Sequence, residues 1–182
     1  MTDQELVQRC LRGDRGAQKQ LFKTYAGPMM SVCLRYCDSR EEAEDVLQDG
    51  FIRVFEKMAQ WNNTGPLGGW IRTIMINASL NYLRVANKWR DNTDIEAAED
   101  LRSDDASALQ QMSANDLMNI IQTMPAGYRT VFNLFAVEGY GHKEIGEMLG
   151  ISENTSKTQY LKAKLWLQKA LEKESSVQSH EG

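Results

Sequence analysis

Apolar side chains recur every three or four residues along most of the chain, and no stretch keeps the strict alternation of a β-strand. The pattern predicts helices throughout. Thr2 followed by Glu5 has the spacing of a capping box, and Leu6, Cys10 and Leu11 continue one face of a short first helix. A second helical stretch covers roughly 14–37, with a break or kink expected at Gly27-Pro28 because proline lacks the amide that the helix ladder needs. Ser39 and Glu42 form another capping pair. They open a helix from 39 to about 60, in which Ala43, Val46, Leu47, Phe51, Val54, Phe55 and Met58 make a buried stripe. The run Asn62-Asn63-Thr64-Gly65-Pro66 reads as a turn. After it, Leu67, Trp70, Ile71, Ile74, Met75, Ala78, Tyr82 and Val85 repeat the helical period to a helix end near Lys88.

The C-terminal part predicts a helix over 117–124, then another opened by Pro125 and running through Val131, Phe132 and Phe135. Two further helices, 142–149 and 153 to about 172, are separated only by Gly150-Ile151-Ser152, the tight spacing of a helix-turn-helix. Between the two blocks the chain has few large apolar residues, so 91–112 is expected to be an exposed linker and 174–182 a frayed tail. The organisation expected is therefore all-α, with small helical domains over 1–90 and 113–173.

Charge sharpens that division. The net charge of −4 is the residue of 13 basic and 10 acidic side chains over 1–90, 1 and 7 over 91–115, 7 and 6 over 116–173, and 0 and 2 over 174–182. Acid is thus concentrated between two mildly basic blocks. No apolar run reaches membrane-spanning length and the polar start MTDQE is not an export signal, so a cytoplasmic protein is expected. Cys10, Cys33 and Cys37 are an odd set, expected as reduced thiols. A metal shared by Cys33 and Cys37 is disfavoured for want of a nearby histidine, and no metal or cofactor is expected.

Three surfaces stand out. In the helix-turn-helix, Ile145, Leu149, Ile151, Tyr160, Ala163 and Leu167 supply a core and leave Asn154, Lys157, Thr158, Leu161, Lys164 and Gln168 facing outward. Amides and hydroxyls read base edges while cations hold phosphates, so this face suits duplex DNA. On the 39–60 helix, Asp45, Gln48, Asp49, Ile52 and Glu56 share a face beside the buried stripe, which is either a protein-docking surface or a solvated charged face. On the next helix Thr73, Asn77, Asn81, Arg84 and Lys88 line up and lead to Arg90. Together with Asn62, Asn63 and Thr64 they suit unstacked single-stranded bases, whereas Trp70 sits on the stripe and is assigned to the core.

These pieces resemble the sigma-70 family, and within it the small extracytoplasmic-function (ECF) sigma factors that keep only the second and fourth conserved regions. The stretch EEAEDVLQDGFIRVFEKM is similar to the family's polymerase-binding helix and WIRTIMINASLNYLR to its promoter-melting helix. The stretch MPAGYRTVFNLFAVEGYGHKEIGEMLGISENTSKTQYLKAKLWL is similar to its fourth region. The resemblance implies that Asp45, Gln48, Asp49 and Arg53, with Ile52 and Glu56 on the same helix, grip the clamp helices of the largest subunit of core RNA polymerase, with the flap as a second contact. It implies that Asn62 to Thr64, Asn77, Asn81, Arg84 and Lys88 engage the minus-ten element as its strands separate. It also implies that Asn154, Thr155, Lys157, Thr158, Gln159, Leu161, Lys162 and Lys164 meet the minus-thirty-five duplex.

Several positions depart from the family pattern. Gly50 stands where a small hydroxyl residue is common, at a helix-propensity cost of about 1 kcal/mol. Asn81 replaces a frequent aspartate, Ser156 a usual valine, and Gln159 and Leu161 stand where arginine and histidine are common. Leu161 and Leu165 are read either as a patch for an occluding anti-sigma partner or as packing within the domain. A stand-alone helix-turn-helix regulator is the competing function. An enzyme is disfavoured by two isolated histidines, His142 and His180, and by the lack of a glycine-rich phosphate loop, so no small-molecule substrate is expected.

Overall fold

A computed structural model describes residues 1–86 and 113–178. The expected linker, Lys88 and Arg90 lie outside the described residues. All regular structure among the described residues is helical, in two compact units, the first being Met1–Ala86.

The first unit holds α1 (Asp3–Leu11), α2 (Arg15–Tyr36), α3 (Arg40–Lys57) with a 3₁₀ turn at Met58–Gln60, and α4 (Leu67–Val85). The Thr2 amide donates to Glu5 Oε2 (2.8 Å) and the Glu5 amide to Thr2 Oγ1 (3.2 Å), closing the predicted capping box. At α3 the Glu42 amide donates to Ser39 Oγ at 3.2 Å, whereas the Glu42 carboxylate accepts from the Asp38 amide, one residue earlier than a capping box requires. α2 does not break. It runs through Pro28, because Ala17, Leu21, Met29, Val32, Cys33 and Tyr36 all bury along it and outweigh a cost of about 3 kcal/mol for a proline in the helix interior.

Helices α2, α3 and α4 pack on one another and α1 packs on α2. The predicted α3 stripe is buried throughout except Phe55, which is half-buried. Gly50 belongs to this interface. A Cβ there would collide with the sulfur of Met75 on α4, so the glycine that costs helix propensity allows close approach. The α4 stripe differs from expectation at both ends: Trp70 is half-buried and Val85 is 77% exposed, while Ile76, Ser79, Leu80 and Leu83 are buried. α4 therefore buries a broader face than a single stripe, and Val85 is its last residue.

The second unit holds α5 (Ala114–Thr123), α6 (Ala126–Phe132), a π-helical segment (Asn133–Val137), α7 (His142–Leu149) and α8 (Glu153–Gln178). Ser113, rather than a position near 117, caps α5 by accepting from the Asp116 amide at 3.2 Å. The π segment was not expected; the Glu138 amide bonds the Asn133 carbonyl five residues back at 2.9 Å. α6 and α7 both pack on α8, and Ile120, Ile121, Met124, Tyr128, Phe132, Ala163 and Leu167 form one cluster. The turn between α7 and α8 begins at Gly150 with φ of +68°, a left-handed stop that favours glycine. α8 continues to Gln178 rather than ending near 172.

Candidate nucleic-acid and partner-binding surfaces

The α3 surface is the cleanest of the three. Asp45, Gln48, Asp49, Ile52 and Glu56 are all exposed on the side opposite the buried stripe, and Ile52 is 58% exposed. Arg53 is half-buried and turned back along the helix, its Nε donating to Asp49 Oδ2 at 2.8 Å. This salt bridge orders the carboxylate of Asp49 and leaves Asp45 and Gln48 to offer acceptors and an amide beside an apolar Ile52.

Before α4, the side-chain Oδ1 of Asn62 accepts from both the amide (3.3 Å) and the hydroxyl (2.7 Å) of Thr64, and Asn63 takes a positive φ of +59°. Asn62, Asn63 and Thr64 are exposed on this turn. The Leu67 amide, first in α4, donates to Asp3 Oδ2 at 3.2 Å, so α1 fixes where α4 begins. Asn77 and Arg84 are exposed on α4, Asn81 is half-buried between them, and Thr73 is exposed one turn earlier. At 1.5 Å of rise per residue, Asn77 lies about 15 Å along α4 from Leu67. The turn and the Asn77–Arg84 group therefore occupy the two ends of one helix rather than one pocket. Trp70, half-buried near the start of the helix, keeps part of its ring accessible.

On α8 the outward residues are Asn154, Thr155, Lys157, Thr158 and Lys164, whereas Gln159, Leu161, Lys162 and Gln168 are half-buried. Ser152 caps the helix, accepting from the Thr155 amide (3.0 Å) and meeting the Thr155 hydroxyl (2.8 Å). The Thr158 hydroxyl donates to the Asn154 carbonyl at 3.0 Å. Gln159 is turned partly inward, its Oε1 enclosed without a hydrogen-bond partner. Lys162 Nζ lies 5.9 Å from the Tyr128 ring and Lys164 Nζ 5.3 Å from the Tyr160 ring, within cation–π range, and Lys157 Nζ pairs with Glu153 at 3.4 Å. The lysines are thus held along the flanks of α8, with Asn154 and Thr158 between them. Leu165, like Leu161, is half-buried.

Sequence reasoning passed over one cluster. His142, the first residue of α7, brings Nδ1 to within 2.9 Å of Ser156 Oγ on α8 and stacks on Phe135 of the π segment at 4.2 Å and 9°. Burial, with Lys157 second and Glu153 acting in the opposite sense, holds its imidazole below the ordinary value of 6.5. Elsewhere, burial pushes the Cys33 thiol up to about 11, and Cys10, Cys33 and Cys37 are all buried and in no disulfide. No described helix is long and apolar enough to cross a membrane.

Comparison with known proteins agrees with this layout. The sequence model of Sigma-70 region 2 matches residues 21–90, and that of Sigma-70 region 4 matches residues 114–167. The RNA polymerase sigma-H factor of Pseudomonas aeruginosa is 24% identical over 181 residues, covering 93% of this chain and 94% of its own. The ECF RNA polymerase sigma-E factor of Haemophilus influenzae is 26% identical over 175 residues, covering 90% and 92%. Among solved structures, the sigma factor RpoE of Bartonella quintana, in complex with the anti-sigma factor NepR, is 19% identical with a TM-score of 0.52, covering 85% of this chain and 96% of its own, which shows a shared fold. With two successive regions of one family matched in order along the chain, and full-length relatives of the same kind, the protein belongs to the sigma-70 family, in its extracytoplasmic-function branch.

Proposed function

We propose that this chain binds core RNA polymerase through α3 and directs it to promoters, with α4 and the turn before it engaging the minus-ten element and α8 the minus-thirty-five duplex. It works in the cytoplasm beside the polymerase and contributes recognition rather than catalytic chemistry. The observation that carries the reading is the α3 face: Asp45, Gln48, Asp49 and Ile52 are exposed together on a helix whose other side is fully engaged in the core. The matched second region disfavours a stand-alone regulator. On α4, the exposed Asn77 and Arg84, with the half-buried Asn81 between them, are spaced along one helix as an extended single strand requires. On α8, lysines flanking Asn154 and Thr158 suit phosphates on either side of base edges.

An occluding anti-sigma partner for this chain also belongs to this reading. Its support is that the structurally similar RpoE is found in complex with one.

The test is promoter-directed transcription with core polymerase and a library of genomic promoter fragments. Discrete start sites that depend on the chain are expected. They should fall at least about tenfold with Asp45→Ala/Gln48→Ala, while folded stability stays within about 0.5 kcal/mol because both side chains are exposed. Duplex binding by the free chain with no association with core polymerase would instead establish the stand-alone regulator.

A further inference from the structure

We propose that His142 is a positioning residue for DNA recognition: by its hydrogen bond to Ser156 it sets the rotation of the first turns of α8, and hence where Asn154, Lys157 and Thr158 point. The proposal rests on the reading that α8 meets duplex DNA.

Ser156 anchors the contact on α8. It is fully buried, on the inner face of α8, between the outward Thr155 and Lys157. A buried hydroxyl is costly without a partner. The partner on the neighbouring helix is His142 Nδ1, at 2.9 Å. The histidine ring is itself held on two sides. Phe135 stacks on it with centroids 4.2 Å apart and planes at 9°, and Tyr160 meets it at 5.8 Å and 56°. Phe135 stands in the π segment and Tyr160 on α8, one turn beyond Ser156. The ring plane is therefore fixed by its neighbours, and with it the direction of Nδ1.

Direction is what this contact adds. Ile145 and Ala163, buried on α7 and α8, make apolar contacts, which are roughly proportional to area and indifferent to angle. Such contacts fix the helix by close packing and not by the direction of any one bond. A hydrogen bond weakens steeply with angle, so a rotation that carries Ser156 away from Nδ1 is opposed at once. Ser156 sits in the helical turn that also carries Asn154, Lys157 and Thr158, so the rotation it resists is the one that would misdirect them. The bond works with a neutral imidazole, which burial and the nearby Lys157 favour.

Three substitutions in the full-length chain separate the roles. His142→Phe keeps a ring on Phe135 but removes the nitrogen, Ser156→Ala removes the hydroxyl, and His142→Asn keeps a polar nitrogen near the Nδ1 position. Each variant is combined with core polymerase and tested on a responsive promoter and on the same promoter with its upstream element scrambled. The readout is the ratio of the two initiation rates, which reports use of the upstream element and is insensitive to the amount of folded protein. The ratio should fall roughly fivefold to tenfold in His142→Phe and Ser156→Ala and stay within about twofold of the parent in His142→Asn. An unchanged ratio in His142→Phe and Ser156→Ala overturns the proposal, as does a fall in His142→Asn as large as in His142→Phe. Lys157→Ala/Thr158→Ala is the companion variant. If it lowers the ratio while the His142 and Ser156 variants do not, positioning alone is wrong; if it too leaves the ratio unchanged, α8 does not read the upstream duplex and the proposal falls with that reading.

Discussion

The two units enclose different chemistry. Among the described residues of the first unit, the fully buried positions are apolar apart from Ser79, whose hydroxyl donates within its own helix to the Met75 carbonyl at 2.9 Å, and the enclosed hydroxyl of Tyr36. The second unit encloses Arg129, Thr130, Asn133 and Ser156. An apolar core constrains volume and leaves angles loose, whereas buried polar groups demand partners in particular directions. The first unit can therefore keep the residues read as partner-facing on the far side of α3, apart from what holds it together. In the second, the helix read as DNA-facing is tied into the core by polar and aromatic contacts of its own side chains.

The largest effect expected from this contrast lies at Arg129. Its side chain is 0% exposed and its Nη1 donates to the Gln122 carbonyl at 3.2 Å, joining the end of α5 to α6. Arg129→Ala removes that donor and opens a cavity, and should lower stability by about 3 kcal/mol or more in chemical denaturation. Arg129→Lys should recover only part of this, because an ammonium lacks the planar fork. A loss below about 1 kcal/mol would mean that the second unit does not depend on its buried cation and would erase the contrast.

A smaller effect is expected at Gly50, where volume rather than direction is at stake. Gly50→Val should cost about 2 to 3 kcal/mol by driving its side chain into Met75. Combined with Met75→Ala, it should cost less than the two single losses together, since the space vacated by one is what the other needs. Additive losses would show that α3 and α4 do not meet there.

How well the sequence could be read follows the same divide. The α3 stripe and the Asp45–Glu56 face were legible because burial on one side of a single helix leaves a period in the chain. The turn at Gly150-Ile151-Ser152 was legible because glycine and serine mark stops and caps locally. Pro28 misled as to a break in α2, since its cost is local whereas the burial that overrides it comes from α3 and α4. Val85 misled because the apolar period runs on to the last residue of α4, which is exposed. The His142–Ser156 pair left no signal at all. Histidine read as an isolated residue, and Ser156 as a departure from a usual valine, until the fold brought together residues far apart in sequence. Gln159 and Lys162 were assigned to the DNA-facing set by the family resemblance and not by helical period, and both are half-buried, Lys162 against Tyr128.

The smallest expected effect is one of pH, and it distinguishes the units by where it begins. The His142 imidazole is held below its ordinary value of 6.5, chiefly by burial, so the folded second unit binds fewer protons than the unfolded chain. Its contribution is fully present well above 6.5 and is lost as pH falls through that value toward the lowered one. Lys157, facing the ring from α8, adds to this, Glu153 opposes it, and Tyr160 stays neutral in this range. In the first unit, Glu5 and Asp14 are held below 4.5 and 3.8 by hydrogen bonds from Thr2 and Arg9, so their contributions persist until pH falls through the carboxylate range. Thermal melting between about pH 7.5 and 5.5 should therefore show a downward slope from the second unit, while these carboxylates leave the first unit level. His142→Asn should flatten that slope while keeping the hydrogen bond to Ser156. If the slope persists in the variant, another group in the second unit titrates there, and the polar core has a second pH-sensitive member; if it vanishes while use of the upstream promoter element is retained, the imidazole's charge and its role in orienting α8 are separable properties of one side chain.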